Sequence, residues 1–228
     1  FERDAIRHKW SKRHLMRVLA REKGNQQEFL FQGTERRQIK RRLVRSHGRL
    51  YLYKIVMAAL GQKDRPEVTL DLGFNIWNSV DVKTRVKMYP GDVVECQKRK
   101  RGYACRRLRG SSRELYTYVA YVERVVDGDT IWMQVDCGFG ITARQKLRLR
   151  GIDTPPITTA EGKKARQFVC NRLKKVPFVV IKTHGSDKYD RYLVDIFYQE
   201  KEADPTVVLA TGTFLNQELV DRGLAGIC

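Results

Sequence analysis

Apolar and polar residues alternate along five short stretches in the second half of the chain, and one stretch between them has helical spacing. The alternation predicts strands over residues 117–126, 130–136, 141–150, 178–183 and 192–198. The helical spacing covers about 159–175, where one face carries Ala165, Phe168, Val169 and Leu173. Five strands with a helix between the third and the fourth are typical of an OB-fold β-barrel.

The ends of the predicted helices carry residues that favour helix termini. Thr158 and Glu161 have the spacing of a capping box at the start of the first helix. A second helix is predicted from about 213 to 222, and Gly223 is suited to end it. Both helices lie within the predicted barrel domain, which covers residues 117–228.

The first half of the chain has a different pattern. Helical spacing over 3–22 and 34–46, with many arginines and lysines, predicts a basic helical segment at 1–48. Residues 49–116 instead predict a small β-rich module. Its strand candidates, separated by turn residues, are 50–56, 68–77 and 93–97. The predicted fold class is therefore α+β, with the OB-fold barrel preceded by these two segments.

Composition excludes some classes of protein. An apolar fraction of 42% is enough to build folded cores, which argues against a disordered tail. The uncharged apolar run Ile55–Leu60 is only six residues long, whereas a membrane helix needs roughly 20. We therefore expect no membrane association.

The cysteines are widely spaced and contain no Cys-x-x-Cys pair. They are Cys96, Cys105, Cys137, Cys170 and Cys228. This pattern argues against a zinc site and against a disulfide framework. We expect reduced thiols in a cytoplasmic or other intracellular protein.

The net charge of +19 is concentrated in the first half of the chain. Residues 1–116 hold 29 Lys and Arg against 12 Asp and Glu, whereas residues 117–228 hold 16 against 14. A cationic module attracts polyanions over long distances and releases their counterions, so it predicts DNA or RNA as a partner. A solvated basic surface or a helix docked on an acidic protein is the alternative, and no particular protein partner is indicated.

A basic segment at 98–109 contains one aromatic residue, Tyr103. Such a hairpin can hold a nucleic-acid strand by charge and by base stacking on the tyrosine. An exposed, solvated hairpin explains the same residues equally well. Tyr103 is therefore a candidate substrate-binding residue with an open alternative.

Acidic residues and arginines occur together in three short strings of the second half. Asp127-Gly128-Asp129 is either a tight turn or, together with Asp153 and the carbonyl of Thr154, a source of hard oxygen donors for Ca²⁺ or Mg²⁺. Cleavage of a phosphodiester needs both such a cation and positive side chains for the phosphate.

Three arginines are candidates for contact with a phosphate. Strand alternation places Arg148 and Arg150 on a cationic face, which is either solvated or binds substrate. Arg148 can clamp a phosphate through two hydrogen bonds. Arg191 is either a surface arginine after a turn or a second clamp that stabilises charge during the reaction.

The order of these strings resembles the staphylococcal nuclease (thermonuclease) family over roughly 117–228. The strings are Asp-Gly-Asp-Thr, Arg-x-x-x-x-Asp-Thr-Pro, Lys-Tyr-x-Arg and Leu-Asn-Gln-Glu-Leu-Val-Asp-Arg-Gly-Leu-Ala. The resemblance implies an OB-fold barrel and a Ca²⁺-dependent phosphodiesterase of DNA and RNA.

The resemblance also implies roles for individual residues. Asp129 and Asp153 would hold the metal with the carbonyl of Thr154. Asp127 would lie next to these ligands without binding the metal directly. Arg148 and Arg191 would be the catalytic arginines. Lys188 and Tyr189 would touch a substrate phosphate.

Two residues depart from the family pattern. The family has Asp-Thr-Pro-Glu, and its Glu orients or deprotonates the attacking water, but this chain has Pro156 there. Loss of a positioned general base typically costs about 10²–10⁴ in rate. Glu161 is nearby as a substitute base, although its predicted capping role already explains it. The family's Lys-Tyr-Gly-Arg contains Asp190 in place of its glycine.

Two functions follow from these observations. The first is a metal-dependent endonuclease, weakened by Pro156, that acts on nucleic acid recruited by the basic front half. The second is a catalytically inactive nucleic-acid-binding module within a larger assembly. Pro156 favours the second, but the acids and both arginines favour the first, so the sequence predicts an endonuclease of low turnover with the binding module as the alternative.

Overall fold

The computed structural model describes residues 42–46, 48–58, 67–81, 88–100, 102–108 and 112–228. The helix predicted at 3–22 and residues 34–41 of the second predicted helix lie outside these ranges. Residues 42–46 are not helical, so the predicted helix end at 46 is wrong. This segment instead makes hydrogen bonds to the barrel domain, and these tertiary contacts override its helical spacing.

The front module is an antiparallel sheet of five strands in the described residues. They are β1 (Leu52–Ala58), β2 (Glu67–Gly73), β3 (Ile76–Asp81), β4 (Val93–Lys98) and β5 (Tyr103–Leu108), in the spatial order β3-β2-β1-β4-β5. The single strand predicted at 68–77 is therefore wrong, because it is a hairpin. Phe74 and Asn75 adopt φ values of 54° and 58°, as a tight two-residue turn requires.

The second half of the chain forms a closed barrel of five strands. They are β6 (Thr117–Asp127), β7 (Thr130–Asp136), β8 (Thr142–Leu149), β10 (Val179–Ser186) and β11 (Tyr192–Tyr198). Each pairs with the next in the order β10-β6-β7-β8-β11, and β10 pairs with β11 to close the ring. β8 and β11 are parallel, and the other pairs are antiparallel. The predicted OB-type barrel is confirmed.

Short elements complete the barrel domain. They are a 3₁₀ turn (Ser112–Glu114), β9 (Ile152–Asp153), α1 (Ala160–Leu173), α2 (Pro205–Thr211), β12 (Thr213–Phe214), α3 (Leu215–Asp221) and β13 (Gly226–Ile227). The helix predicted from 213 begins at Leu215, and α2 was not predicted. Gly223, with φ of 67°, follows α3 as expected.

The start of α1 differs from the predicted capping box by one residue. Thr159, not Thr158, is the N-cap, and its hydroxyl accepts a hydrogen bond from the Gly162 amide at 3.0 Å. Gly162 leaves no room for a side chain, because an added Cβ would lie 2.0 Å from the Pro156 carbonyl oxygen. The capping role predicted for Glu161 is therefore wrong.

The sheet and the barrel share one core, and residues 42–228 form one compact unit. Two tyrosine hydroxyls cross the junction: Tyr53 donates to the Cys137 carbonyl at 3.1 Å, and Tyr118 donates to the Leu72 carbonyl at 2.8 Å. Burial raises the pKa of both tyrosines, so both remain donors at neutral pH.

The cysteines depart from expectation. Cys96 and Cys105 face each other across β4 and β5 and form a disulfide. The expectation that they are reduced is wrong, because their pairing arises from strand register rather than from sequence spacing. Cys137, Cys170 and Cys228 are free thiols, and burial raises the pKa of Cys137 to about 11.

None of the helices in the described ranges is long and apolar enough to cross a membrane.

Candidate functional site

The Asp127–Asp129 string forms the tight turn between β6 and β7. Asp127 and Thr130 are paired across the hairpin, and the Asp127 carboxylate accepts from the Gly128 amide at 2.9 Å. Gly128 is required here because a Cβ would lie 2.8 Å from Ala165 of α1. The turn therefore packs against the helix, and Asp129 is carried into the interior.

Asp129 is a buried carboxylate with both oxygens bonded. Oδ1 accepts from the Thr130 hydroxyl at 2.8 Å and from Arg148 Nη1 at 3.1 Å, and Oδ2 accepts from the Thr154 amide at 3.0 Å. These bonds tie the hairpin turn to β8 and to the chain just after β9. Asp129 therefore organises the site.

Arg148 lies at the end of β8 and joins two carboxylates. Its guanidinium reaches Asp129 and donates to Asp153 Oδ1 at 2.6 Å. The Arg148 side chain is 20% exposed and that of Asp153 is 66% exposed. Burial alone would lower the pKa of Arg148, but the bond to Asp153 and the two negative charges raise it. The Asp129–Arg148–Asp153 group is an ion-pair cluster that is open to solvent on the Asp153 side.

Arg191 belongs to a separate ion pair. Its guanidinium donates to Asp187 at 2.8 and 2.6 Å. Burial opposes ionisation of Asp187, but the bonds from Arg191 and Tyr189 lower its pKa. Arg191 comes two residues before Leu193, the Cα partner of Arg148. It therefore lies just before the strand that pairs with β8 at Arg148, although no bond joins it to the Asp129–Arg148–Asp153 group in the described chain.

The turn before β11 presents an exposed aromatic ring between two cations. The Tyr189 ring is 66% exposed. Lys188 Nζ lies 5.0 Å and the Arg191 guanidinium carbon 5.3 Å from its centroid. Asp190 has φ of 57°, a left-handed conformation that Asp adopts more readily than most residues. This conformation explains why Asp can stand where the family has glycine.

Pro156 lies in the turn that leads into α1. Its carbonyl oxygen accepts from the amide and the hydroxyl of Thr159, at 2.9 and 2.8 Å. Glu161, in the first turn of α1, is exposed and makes no ion pair or side-chain hydrogen bond within the described ranges. Its predicted role as a substitute base stays a prediction.

Arg150 was predicted to bind substrate but is engaged within the protein. Its guanidinium donates twice to Asp195 at 2.8 Å and once to the Val44 carbonyl at 2.8 Å. The Asp195 side chain is 0% exposed. Strand β8 ends at Leu149, so Arg150 lies beyond it and does not share the cationic face that alternation predicted. These contacts favour a structural role.

Tyr103 lies at the start of β5, 4.2 Å from Phe139 between ring centroids. It lines a groove of about 700 Å³ between the sheet and the barrel, together with Tyr51, Lys98 and Asp136. The predicted basic hairpin exists, but its tyrosine is partly covered. Its role in stacking stays a prediction.

The residues implied as calcium ligands do not fit Ca²⁺ as they are arranged here. Ca²⁺ takes about six to eight oxygen ligands, but both oxygens of Asp129 are already bonded. Among the described residues no three His, Cys, Asp or Glu side chains converge on a metal position. The Arg148 guanidinium bonds to both carboxylates, so an internal cation already occupies the position between them.

Two acids that hold the arginines were not singled out from the sequence. Asp187 stands four residues before Arg191, a spacing that could have indicated an ion pair. Asp195 lies in the apolar strand β11, and a single acid in such a strand is the signal that would have marked it as a buried partner.

Residues 146–228 match a family model described as staphylococcal nuclease homologue. The match contains Arg148, Asp153 and the turn at 187–191, and begins after the Asp127–Asp129 turn. It confirms the predicted resemblance over that segment. The family contains nucleases and nucleic-acid-binding proteins. No curated protein matches the chain significantly.

Proposed function

We propose that this protein binds nucleic acid through its barrel and that its nuclease site is degenerate. The observation that carries the proposal is the Asp129–Arg148–Asp153 group, whose arginine is paired with two carboxylates of the protein. A site poised for metal-assisted hydrolysis needs carboxylates free to bind a cation. Here they hold an arginine.

Arg148 can still bind a phosphate. Asp153 is its exposed partner, and an exposed ion pair is worth only about 0–1 kcal/mol. A phosphate oxygen that approaches from solvent can therefore replace the Asp153 carboxylate on Nη2, while Asp129 keeps Nη1 in position. The cations beside Tyr189 supply a second contact for the same strand.

The attacking water has no base at the position where the family places one. Pro156 has no proton acceptor on its side chain, and its carbonyl oxygen is occupied by Thr159. Loss of the base lowers the rate by about 10²–10⁴. Binding without turnover is the expected behaviour.

A slow metal-dependent endonuclease is the second candidate. It is favoured by the 66% exposure of the Asp153 side chain, because a phosphate that binds Arg148 would release this carboxylate. The released Asp153 carboxylate would then be the residue that holds Ca²⁺ or Mg²⁺. In this case the cation would supply Lewis-acid stabilisation, and Arg148 and Arg191 would balance charge on the phosphorus.

One assay separates the two functions. Labelled single-stranded DNA and RNA are incubated with the protein in Ca²⁺, in Mg²⁺ and in chelator. Binding that survives chelator, without cleavage, supports the proposal. Metal-dependent cleavage that Asp153→Ala abolishes supports the second candidate instead.

Two variants test the site itself. Pro156→Glu restores the missing carboxylate, so cleavage by this variant alone supports a degenerate nuclease site. Arg148→Met should weaken binding about tenfold, whereas Arg222→Ala, an exposed arginine after α3, should not. Equal binding by both variants would remove Arg148 from the site.

A further inference from the structure

The outer face of the barrel beside Arg148 carries two exposed cations around an aromatic ring. Arg124 of β6, Trp132 of β7 and Lys146 of β8 are direct neighbours across the three strands. Trp132 is half-buried, and Arg124 and Lys146 are exposed. In the described part of the chain neither cation makes an ion pair or a side-chain hydrogen bond.

A β-bulge brings Arg124 onto this face. The register of β6 against β7 shifts between Val122 and Arg124, so Glu123 is an extra residue. A bulge re-aims the side chains next to it, and Glu123 and Arg124 are both exposed. Glu123, the acid beside Arg124 on β6, accepts hydrogen bonds from Arg144 at 2.8 and 2.7 Å.

The Arg144 guanidinium lies over the Trp132 ring, and this stacked pair is here named the platform. The Arg144 guanidinium lies 4.2 Å from the centroid of the Trp132 ring, and its bidentate bond to Glu123 holds it there. Unstacked bases stack on aromatic rings and on arginine planes. Tyr121, half-exposed on the next row opposite Gln134, adds a second ring to the same face.

The face leads directly to the proposed phosphate site. On β7, Thr130 is paired with Arg148 and Gln134 with Arg144, a distance of about 13 Å at strand spacing. Asp136, the next residue of β7 on the same face, makes no ion pair with any described residue. Its negative charge marks the end of this face that lies farthest from Arg148. The length suits a few nucleotides.

We propose that the surface formed by Tyr121, Arg124, Trp132, Arg144 and Lys146, here named the track, holds single-stranded nucleic acid that runs to Arg148. Arg124 and Lys146 contact phosphates, and the platform receives bases. A duplex keeps its bases paired and stacked, so it gains only the phosphate contacts. This inference rests on the proposed function and specifies its ligand as a single strand.

Fluorescence anisotropy with a labelled single-stranded oligonucleotide and its duplex tests the platform. Trp132→Ala should weaken single-strand binding about tenfold and duplex binding little. Trp77→Ala is the matched control, since Trp77 is 58% exposed on β3 of the other sheet. Trp132→Phe keeps a ring and should restore most of the loss, which separates stacking from damage to the fold.

The salt dependence of binding tests the cations. Arg124→Ala and Lys146→Ala should each lower the slope of log K against log salt by about 0.7 for a single strand. Lys54→Ala, an exposed lysine on β1, should leave the slope unchanged.

Three outcomes overturn the track. The first is that the Trp132 and Lys146 variants behave like the Trp77 and Lys54 controls while Arg148→Met still weakens binding, in which case the proposed function survives alone. The second is equal binding of duplex and single strand with equal loss in the Trp132 variant. The third is no binding of any nucleic acid by the unmodified protein, which overturns the proposed function as well.

Discussion

Two arginines two residues apart, Arg148 and Arg150, each pair with carboxylates, yet their surroundings differ. Arg150 meets Asp195, whose side chain is 0% exposed and which also accepts from the Ser46 amide and contacts His184. Arg148 meets Asp153, which is open to solvent. The same residue types therefore form a closed structural cluster on one side and a cluster open to solvent on the other.

The difference between the clusters lies in what a ligand could displace. Asp195 cannot be replaced from outside, and its cluster holds residues 44–46 against the barrel. Asp153 can be replaced by a phosphate without exposing a buried charge. Burial of the acid, rather than the presence of the arginine, distinguishes a structural pair from a candidate site.

The largest expected effect is on stability, from Asp195→Ala. Removing this acid leaves the partly buried Arg150 without its partner, which should cost about 2–4 kcal/mol in the free energy of unfolding. Urea denaturation measures the loss. Asp153→Ala is the matched variant and should cost less than about 1 kcal/mol, so equal losses would erase the distinction between the two clusters.

The next effect is on binding. Arg148→Met should weaken single-strand binding about tenfold, because the hydrogen bonds from a charged donor to the phosphate are lost. Arg150→Met should lower stability but leave the affinity of the folded protein unchanged. Fluorescence anisotropy below the melting temperature measures the affinity of each variant. A loss of affinity confined to the Arg150 variant would reverse the assignment.

The pH dependence of stability should follow the closed cluster. Burial opposes ionisation of Asp195, but its contact with His184 and its hydrogen bonds from Arg150 lower its pKa. The resulting stabilisation is fully present above the unfolded Asp value of about 3.9 and is lost as pH falls through the lower folded value. Asp195→Asn should therefore remove this loss of stability at acid pH, which denaturation curves taken from about pH 5 downward measure. An unchanged loss in this variant would contradict the assignment to Asp195.

The smallest expected effect concerns calcium. Arg148→Ala frees Asp129 and Asp153 from their internal cation, so millimolar Ca²⁺ should raise the melting temperature of this variant by a few degrees. The unmodified protein should show no shift between Ca²⁺ and chelator. A shift in the unmodified protein would mean that its carboxylates are available to a metal after all.

Periodicity was a good guide to the barrel because its strands have one buried and one exposed face. The five predicted strands agree with the observed ones to within three residues at every end. The front sheet was harder to predict, since the turn at Phe74-Asn75 lacks the glycine that usually marks such a hairpin. The cap at Thr159 was missed by one residue because two threonines stand side by side.

The candidate site was only partly predictable. Motif order brought Asp129, Arg148 and Asp153 into one hypothesis, and the structure bonds these three together. It pairs Arg191 with Asp187 instead, and Arg150 with Asp195. These partners depend on which strands lie side by side, and local spacing carries no such information.

The sequence by itself determined the barrel, the positions of α1 and α3, and the grouping of Asp129, Arg148 and Asp153, because alternation and short motifs are local properties. Tertiary structure alone decided which acid each arginine meets, that Cys96 faces Cys105, and that Arg124, Trp132 and Lys146 share one row. The physical reason is that strand register and closure of the barrel bring together residues distant in sequence. Burial then determines whether each charge is structural or free to bind.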